Sequence, residues 1–262
     1  MKHALRLLLA ALPLAGAAAT LPAPAHAETI TIGLDDESYP PFFSKNPDGK
    51  WGGWELDLLK AVCDQMHATC VTKEIAWDGL IPALQQKQID VIWASMTING
   101  ERRKVIDFTR YYYNTQNVII GDKDDSTKVD CAHLASINGQ VIGVEAGTNY
   151  SSYLATAPAG VQVKSYTTLD NALSDLSAGR IDYAIEGHST FTDFLAKNPD
   201  FVVKSVCPDN DTLGYGVGGG VRKGDTALRD QLNEAIEAVA TNGTWDKITA
   251  RYPDLNGLLI KP

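Results

Sequence analysis

Residues 77–109, WDGLIPALQQKQIDVIWASMTINGERRKVIDFT, hold the side chains best suited to bind a small anion. The pattern reads as helix, strand, polar loop and short helix. The loop carries Ser95, Thr97 and Asn99 just past the strand end, and Arg102 sits in the first turn of the helix behind them. A guanidinium adds a planar fork of donors. The first N–H groups of a helix are unpaired and carry a partial positive charge. A carboxylate placed there meets donors from side chain and backbone together, at the sheet edge where open α/β folds bind ligands.

The elements around this segment recur. Residues 78–90 read DGLIPALQQKQID, and residues 170–182 read DNALSDLSAGRID. Each begins with Asp, places Leu at the seventh position (Leu84, Leu176) and ends in Ile-Asp before an apolar run, 91–93 in one and 183–185 in the other. A helix–strand unit used twice predicts two similar α/β lobes. A strand is expected at 29–34, a helix at 55–67 with Leu56, Leu59, Val62, Cys63 and Met66 on one face, and an extended stretch at 111–121. The second lobe is expected to open with a strand at 140–144 and a short helix started by Thr148 and Asn149, whose oxygens cap free N–H groups. Strands at 161–166 and 201–206, a helix at 189–196, a glycine-rich extended stretch at 212–221, and helices at 225–240 and 245–252 complete the chain. Two crossings, near 113–117 and 213–217, then act as paired hinge strands. The expected division is lobe 1 from 28–115 and 214–262, and lobe 2 from 116–213.

Lys2 and Arg6, the apolar run 7–19 and the small-residue end Ala25-His26-Ala27 read as a secretory signal peptide over 1–27. The mature chain of about 235 residues suits two lobes of about 100 each. The formal charge of −9 becomes more negative once Lys2 and Arg6 leave, which argues against nucleic acid or an anionic membrane as partner. Cys63, Cys70, Cys131 and Cys207 form an even set in an exported chain and predict two disulfides, with three possible pairings. Cys63 and Cys70 are the easiest pair, one late in a helix and the other opening the next strand; Cys131 with Cys207 follows by elimination. No C-x-x-C, H-E-x-x-H or G-x-S-x-G stretch is present, so neither a metal, a cofactor nor a catalytic residue is assigned. The Gly214-x-Gly216-x-x-Gly219 spacing lacks a βαβ context and is not read as a dinucleotide site.

Several ordered motifs resemble one family across the mature chain. They are Tyr39-Pro40-Pro41-Phe42, Gly53-Trp54-Glu55-Leu56-Asp57-Leu58, Cys63-x6-Cys70, Trp77-Asp78-Gly79-Leu80-Ile81-Pro82, Ala94-Ser95-Met96-Thr97-Ile98 with Arg102, Gly143-Val144 with Gly147-Thr148, Ala178-Gly179-Arg180-Ile181-Asp182, and Asn242-Gly243-Thr244. The sequence resembles solute-binding family 3, the polar amino-acid-binding components of bacterial ABC importers, and within it histidine-, lysine/arginine/ornithine- and opine-binding proteins. The resemblance implies a type II periplasmic-binding-protein fold, an amino-acid ligand, an inner-membrane permease as partner and a monomer.

By position, Arg102 matches the residue that grips the ligand carboxylate, with Ala94, Ser95, Thr97 and the helix start at Thr148-Asn149 beside it. Trp77 and Tyr39 match the aromatic walls, and Asp36 an acid that meets the distal polar group. The family pattern usually places an Asp for the α-ammonium where this chain has Gly187. Glu186, His188 or Glu145 could supply the missing charge, or the ligand could be an opine or other carboxylate. Cyclohexadienyl dehydratases share the fold and a Gly-Thr-Asn stretch like Gly147-Thr148-Asn149, but the cysteine spacing and the WDGLIP segment resemble the transport proteins.

Overall fold

The computed structural model describes residues 29–262; the leader expected at 1–27 lies outside the described residues. The chain opens in β1 (Thr29–Asp35), whose alternation buries Ile30, Ile32 and Leu34. The following stretch holds a small ribbon of β2 (Ser44–Lys45) and β3 (Trp51–Gly52). Gly53, at φ 129°, turns the chain into α1 (Trp54–Gln65); a side chain there would run into the Phe42 carbonyl, so only glycine fits. β4 (Thr69–Ile75), α2 (Leu80–Gln85), β5 (Val91–Ile92), α3 (Gly100–Val105) and β6 (Ile106–Tyr113) complete the first pass.

The second lobe comprises β7 (Asn117–Asp122), β8 (Val141–Glu145), α4 (Asn149–Leu154), β9 (Gln162–Tyr166), α5 (Leu169–Ser177), β10 (Tyr183–Gly187), α6 (Thr192–Lys197) and β11 (Phe201–Cys207). β12 (Val217–Arg222), α7 (Thr226–Thr241) and α8 (Thr244–Thr249) return to the first. The first sheet has the order β4-β1-β5-β12-β6 and the second β11-β7-β10-β8-β9. In each, three parallel strands are joined to an antiparallel strand that runs in from the other lobe.

The repeated Ile-Asp has the same use in both lobes. Ile89 covers Gly33 and Ile181 covers Gly143, each so closely that a Cβ on the glycine would collide with the isoleucine. The aspartate that follows clasps the neighbouring strand twice. Asp90 N–H donates to the Thr31 carbonyl at 2.7 Å while Thr31 N–H donates to its carboxylate at 3.0 Å. Asp182 does the same with Val141, at 2.9 and 2.7 Å. The repeat marks the point where the central strand of each five-stranded sheet, β5 and β10, begins.

The stretch expected to be extended over 111–121 is two strands, broken at 114–116 because β6 belongs to one sheet and β7 to the other. Of the glycine-rich 212–221, only the end from Val217 joins a sheet; Gly214 and Gly216 turn at φ 93° and 111°. The first core centres on Trp54, Trp93, Tyr112, Tyr113 and Phe42, with Trp93 stacked on Tyr112 at 4.1 Å between ring centres. The second sheet buries apolar side chains on both faces, one under Ile119, Ile142 and Ile185, the other under Val118, Ile120 and Phe191. No helix among the described residues is long and apolar enough to cross a membrane.

Both disulfides form as expected, Cys63–Cys70 and Cys131–Cys207. They close loops of very different length, 7 against 76 residues of separation. Chain entropy assigns roughly 2.5 kcal/mol to the short loop and about 4.5 kcal/mol to the long one. Thermal unfolding of the two double Cys→Ser variants should show the Cys131/Cys207 variant less stable by about 4–8 °C; the reverse order would refute the loop-length account.

Candidate ligand-binding site

A cleft runs between the two sheets, at the ends of β1, β5, β8 and β10, and both interlobe crossings line it. Ten of the eleven side chains expected at a site border this cleft: Tyr39, Trp77, Ala94, Ser95, Thr97 and Arg102 from the first lobe, and Glu145, Thr148, Asn149 and Glu186 from the second. Asp36 does not. It is exposed, while Asp35 lies in the wall, 7% exposed. Successive residues of an extended chain point to opposite sides, so counting one position too far along β1 selects the solvent face.

Arg102 is the central cation. The Asn99 side chain caps α3 by accepting from Arg102 N–H at 2.9 Å, which fixes the first turn and the arginine with it. The guanidinium donates to the Thr97 carbonyl at 3.0 Å and lies 5.2 Å from the centre of the Trp77 ring. The residue is only 8% exposed, and loss of hydration lowers its pKa to about 10, so it remains charged at neutral pH. Among the described residues no carboxylate forms an ion pair with it. A buried cation without a counter-ion is costly, and the fork is left with donors aimed into the cleft.

The loop that carries Thr97 is set by a residue outside the cleft wall. Glu55, fully buried in the first turn of α1, accepts from Ser95 N–H at 2.8 Å and from the Ser95 hydroxyl at 2.5 Å, and also from the Tyr112 hydroxyl. These bonds hold Ser95 in the left-handed region at φ 51°, a conformation few non-glycine residues adopt. Tyr113 then donates to Ser95 Oγ at 3.0 Å. Ser95 therefore borders the cleft while spending its donors on Glu55, and Thr97 is the loop residue beside Arg102. Burial raises the Glu55 pKa, against the opposing pull of the Ser95 and Tyr112 bonds.

The cleft wall also carries three acids, Asp35, Glu145 and Glu186. Burial is the main cause that lifts Asp35 and Glu186 to about 7 and Glu145 to about 8; mutual repulsion adds to the rise at Glu145, which faces Glu186 and Asp35. Glu186 is 4% exposed and accepts from Tyr39 across the lobes at 3.1 Å and from Gly187 N–H at 2.9 Å. Of the three groups expected to offset the missing charge at Gly187, Glu186 and Glu145 line the cleft and His188 does not. Thr190 donates to Tyr39 at 2.9 Å and Trp77 to the Gly147 carbonyl at 3.3 Å, so the two lobes touch on both sides of the cleft. Asp35, Tyr113, Thr115, Asn117, Tyr150 and Thr190 also line the wall and were not legible from motif spacing. Tyr113, Thr115 and Asn117 could have been found from the crossing itself, since a hinge strand borders both lobes.

Residues 30–254 match the family model described as bacterial extracellular solute-binding proteins, family 3. The chain is 37% identical over 239 residues to the L-arginine-binding protein of Pseudomonas aeruginosa, covering 89% of this chain and 91% of that one. It is 34% identical over 251 residues to the histidine-binding periplasmic protein of Salmonella typhimurium, covering 94% and 95%. An ancestral arginine-binding protein solved with arginine bound has a similar structure, with a TM-score of 0.76, 29% identity, and coverage of 86% of this chain and 97% of that one.

Glu55→Ala would strand the Ser95 and Tyr112 donors in a dry site, a loss of about 2–4 kcal/mol. The ligand-free variant should unfold about 5–10 °C below wild type in a thermal scan; a midpoint within 2 °C would show that Glu55 does not hold the loop.

Proposed function

The chain belongs to the bacterial extracellular solute-binding proteins of family 3, and from that premise we propose that it captures a cationic amino acid, of which arginine is the best match, in the periplasm and delivers it to an ABC permease. One observation carries the choice of ligand: a buried Arg102 without a counter-ion shares the cleft with buried Asp35 and Glu186 and half-buried Glu145. A carboxylate at one end and a cation at the other satisfy both. The names of the arginine- and histidine-binding relatives agree with that pattern.

In this reading the ligand carboxylate meets the Arg102 fork, Thr97 and the start of α4 at Thr148. Trp77 and Tyr39 flank its side chain, and Asp35 and Glu145 meet the distal cation. Residues 28–115 with 214–262, and residues 116–213, form the two lobes that close as a monomer. The 1–27 leader exports the chain. The proposed role is binding, with no chemical turnover. Closure without ligand buries three carboxylates near one another. A ligand shifts the population only through what it gains in the closed state, and neutralising those carboxylates supplies that gain.

The signs for pH follow. Before a ligand enters, burial in the cleft holds the three carboxylates at about 7 to 8, so they are partly protonated at neutral pH. A bound cation favours the ionised forms. Affinity for L-arginine should therefore rise between pH 5.5 and 8, and binding at pH 7 should release protons. Calorimetry at pH 7 in phosphate and in Tris, which differ in ionisation enthalpy, reads this directly; equal binding enthalpies in the two buffers would refute it.

The ligand itself is tested by thermal unfolding of ligand-stripped protein against the twenty amino acids, ornithine, citrulline, octopine, nopaline and prephenate. A cationic amino acid at a hundred times its dissociation constant adds roughly 2.7 kcal/mol and should raise the midpoint by about 5–10 °C. A shift only with opines or with prephenate would overturn the reading. Arg102→Ala should weaken binding at least about a hundredfold, since it leaves the ligand carboxylate without its partner; affinity within threefold of wild type would remove the carboxylate assignment.

A further inference from the structure

We propose that Thr115, in the linker between β6 and β7, contacts the ligand: its hydroxyl and the Glu186 carboxylate together hold the α-ammonium of the bound amino acid in a niche left open by Gly187. This rests on the reading of an amino-acid ligand given above. Thr115 Oγ1 is buried and has no hydrogen-bond partner among the described residues, and Thr115 borders the cleft. Buried hydroxyls without partners are rare and costly, so one that faces a ligand cleft marks a contact the ligand completes.

The surroundings say which kind of group fits. A Cβ on Gly187 would lie 3.1 Å from Thr115 Cγ2, 3.6 Å from the Tyr150 hydroxyl and 3.7 Å from Thr190 Oγ1. The space beside Gly187 is thus ringed by three hydroxyl-bearing side chains. Two of them have their hydrogens committed elsewhere. Tyr150 donates to Asn117 Oδ1 at 2.8 Å, and Thr190 donates to Tyr39, which in turn donates to Glu186. What they offer to the niche is lone pairs, beside a carboxylate. An ammonium, with three N–H donors and no acceptor, matches that set.

Gly187 itself has φ −65° and ψ 135°, a conformation open to any residue, so its backbone does not require glycine. The bare position instead leaves Thr115 its place: any side chain at 187 presses on the Thr115 methyl. Thr115 and Gly187 form a matched pair, in which a hydroxyl from the hinge does part of the work of the absent acid.

Calorimetry with L-arginine on wild type, Thr115→Val and Thr115→Ser tests the pair. Val keeps the shape and removes the hydroxyl; Ser keeps the hydroxyl. Thr115→Val should bind at least about tenfold more weakly, with a ligand-free unfolding midpoint no lower than wild type, and Thr115→Ser should stay within threefold. With 5-guanidinopentanoic acid, which lacks the amine, Thr115→Val should lose nothing. Thr115→Val within threefold of wild type for arginine, or an equal loss on both probes, overturns the proposal. If the amine-free probe binds too weakly to saturate, the two variants on arginine decide alone. Wild-type protein that binds no amino acid of the panel overturns both the parent reading and this one; binding with Thr115→Val unchanged overturns this one only.

Discussion

The burial of one unpaired guanidinium organises the structure around it. Arg102 is removed from water and given a carbonyl, an aromatic face and no anion. Such a group is stable only where its position is overdetermined. The Asn99 cap fixes the helix turn that carries it, and Glu55 fixes the loop that supplies Thr97. Glu55 does this from the far side of the core, where Trp93, Tyr112 and Trp54 pack around the start of α1. The fold thus uses a buried, hydrogen-bonded carboxyl group, Glu55, to help aim a buried cation left without an anion. On the proposed reading, the ligand supplies the missing counter-ion of the second.

The acids of the cleft wall invert the sign. Asp35 arrives from the end of β1, and Glu145 and Glu186 from the ends of β8 and β10. None of them has a cationic partner in the cleft wall other than Arg102, whose charge reaches Glu186 and draws its pKa down. Closure brings acids from both lobes together and is opposed by their charge. The hydrogen bonds that span the lobes, among them Tyr39 to Glu186, Thr190 to Tyr39, Trp77 to Gly147 and Gly100 to Asp211, do not neutralise that charge. On the proposed reading the ligand's two charges do what these bonds cannot, which makes recognition and closure one event.

Much of this was readable in the chain. The duplicated Ile-Asp identified the start of the middle strand in both sheets, because an isoleucine over a glycine and an aspartate clasping a strand are constraints on residue type. Arg102 and Thr148 were legible because helix starts have a signature. Three things were not. Asp36 was chosen over Asp35 because motif spacing does not say which face a strand end presents. Ser95 looked like a free donor, since nothing local announces that Glu55, forty positions earlier, takes both of its hydrogens. Thr115 carried no signal at all: a threonine in a linker gains meaning only when the absent side chain at Gly187 leaves it facing the cleft.

The most direct measurement of the central claim is a calorimetric titration of the wild-type protein with L-arginine and, side by side, with L-argininamide, in which only the carboxylate is neutralised. If Arg102 waits for a ligand carboxylate, the amide binds at least about a hundredfold more weakly. Equal affinities would mean that the buried guanidinium serves the fold and that the ligand is held by something else.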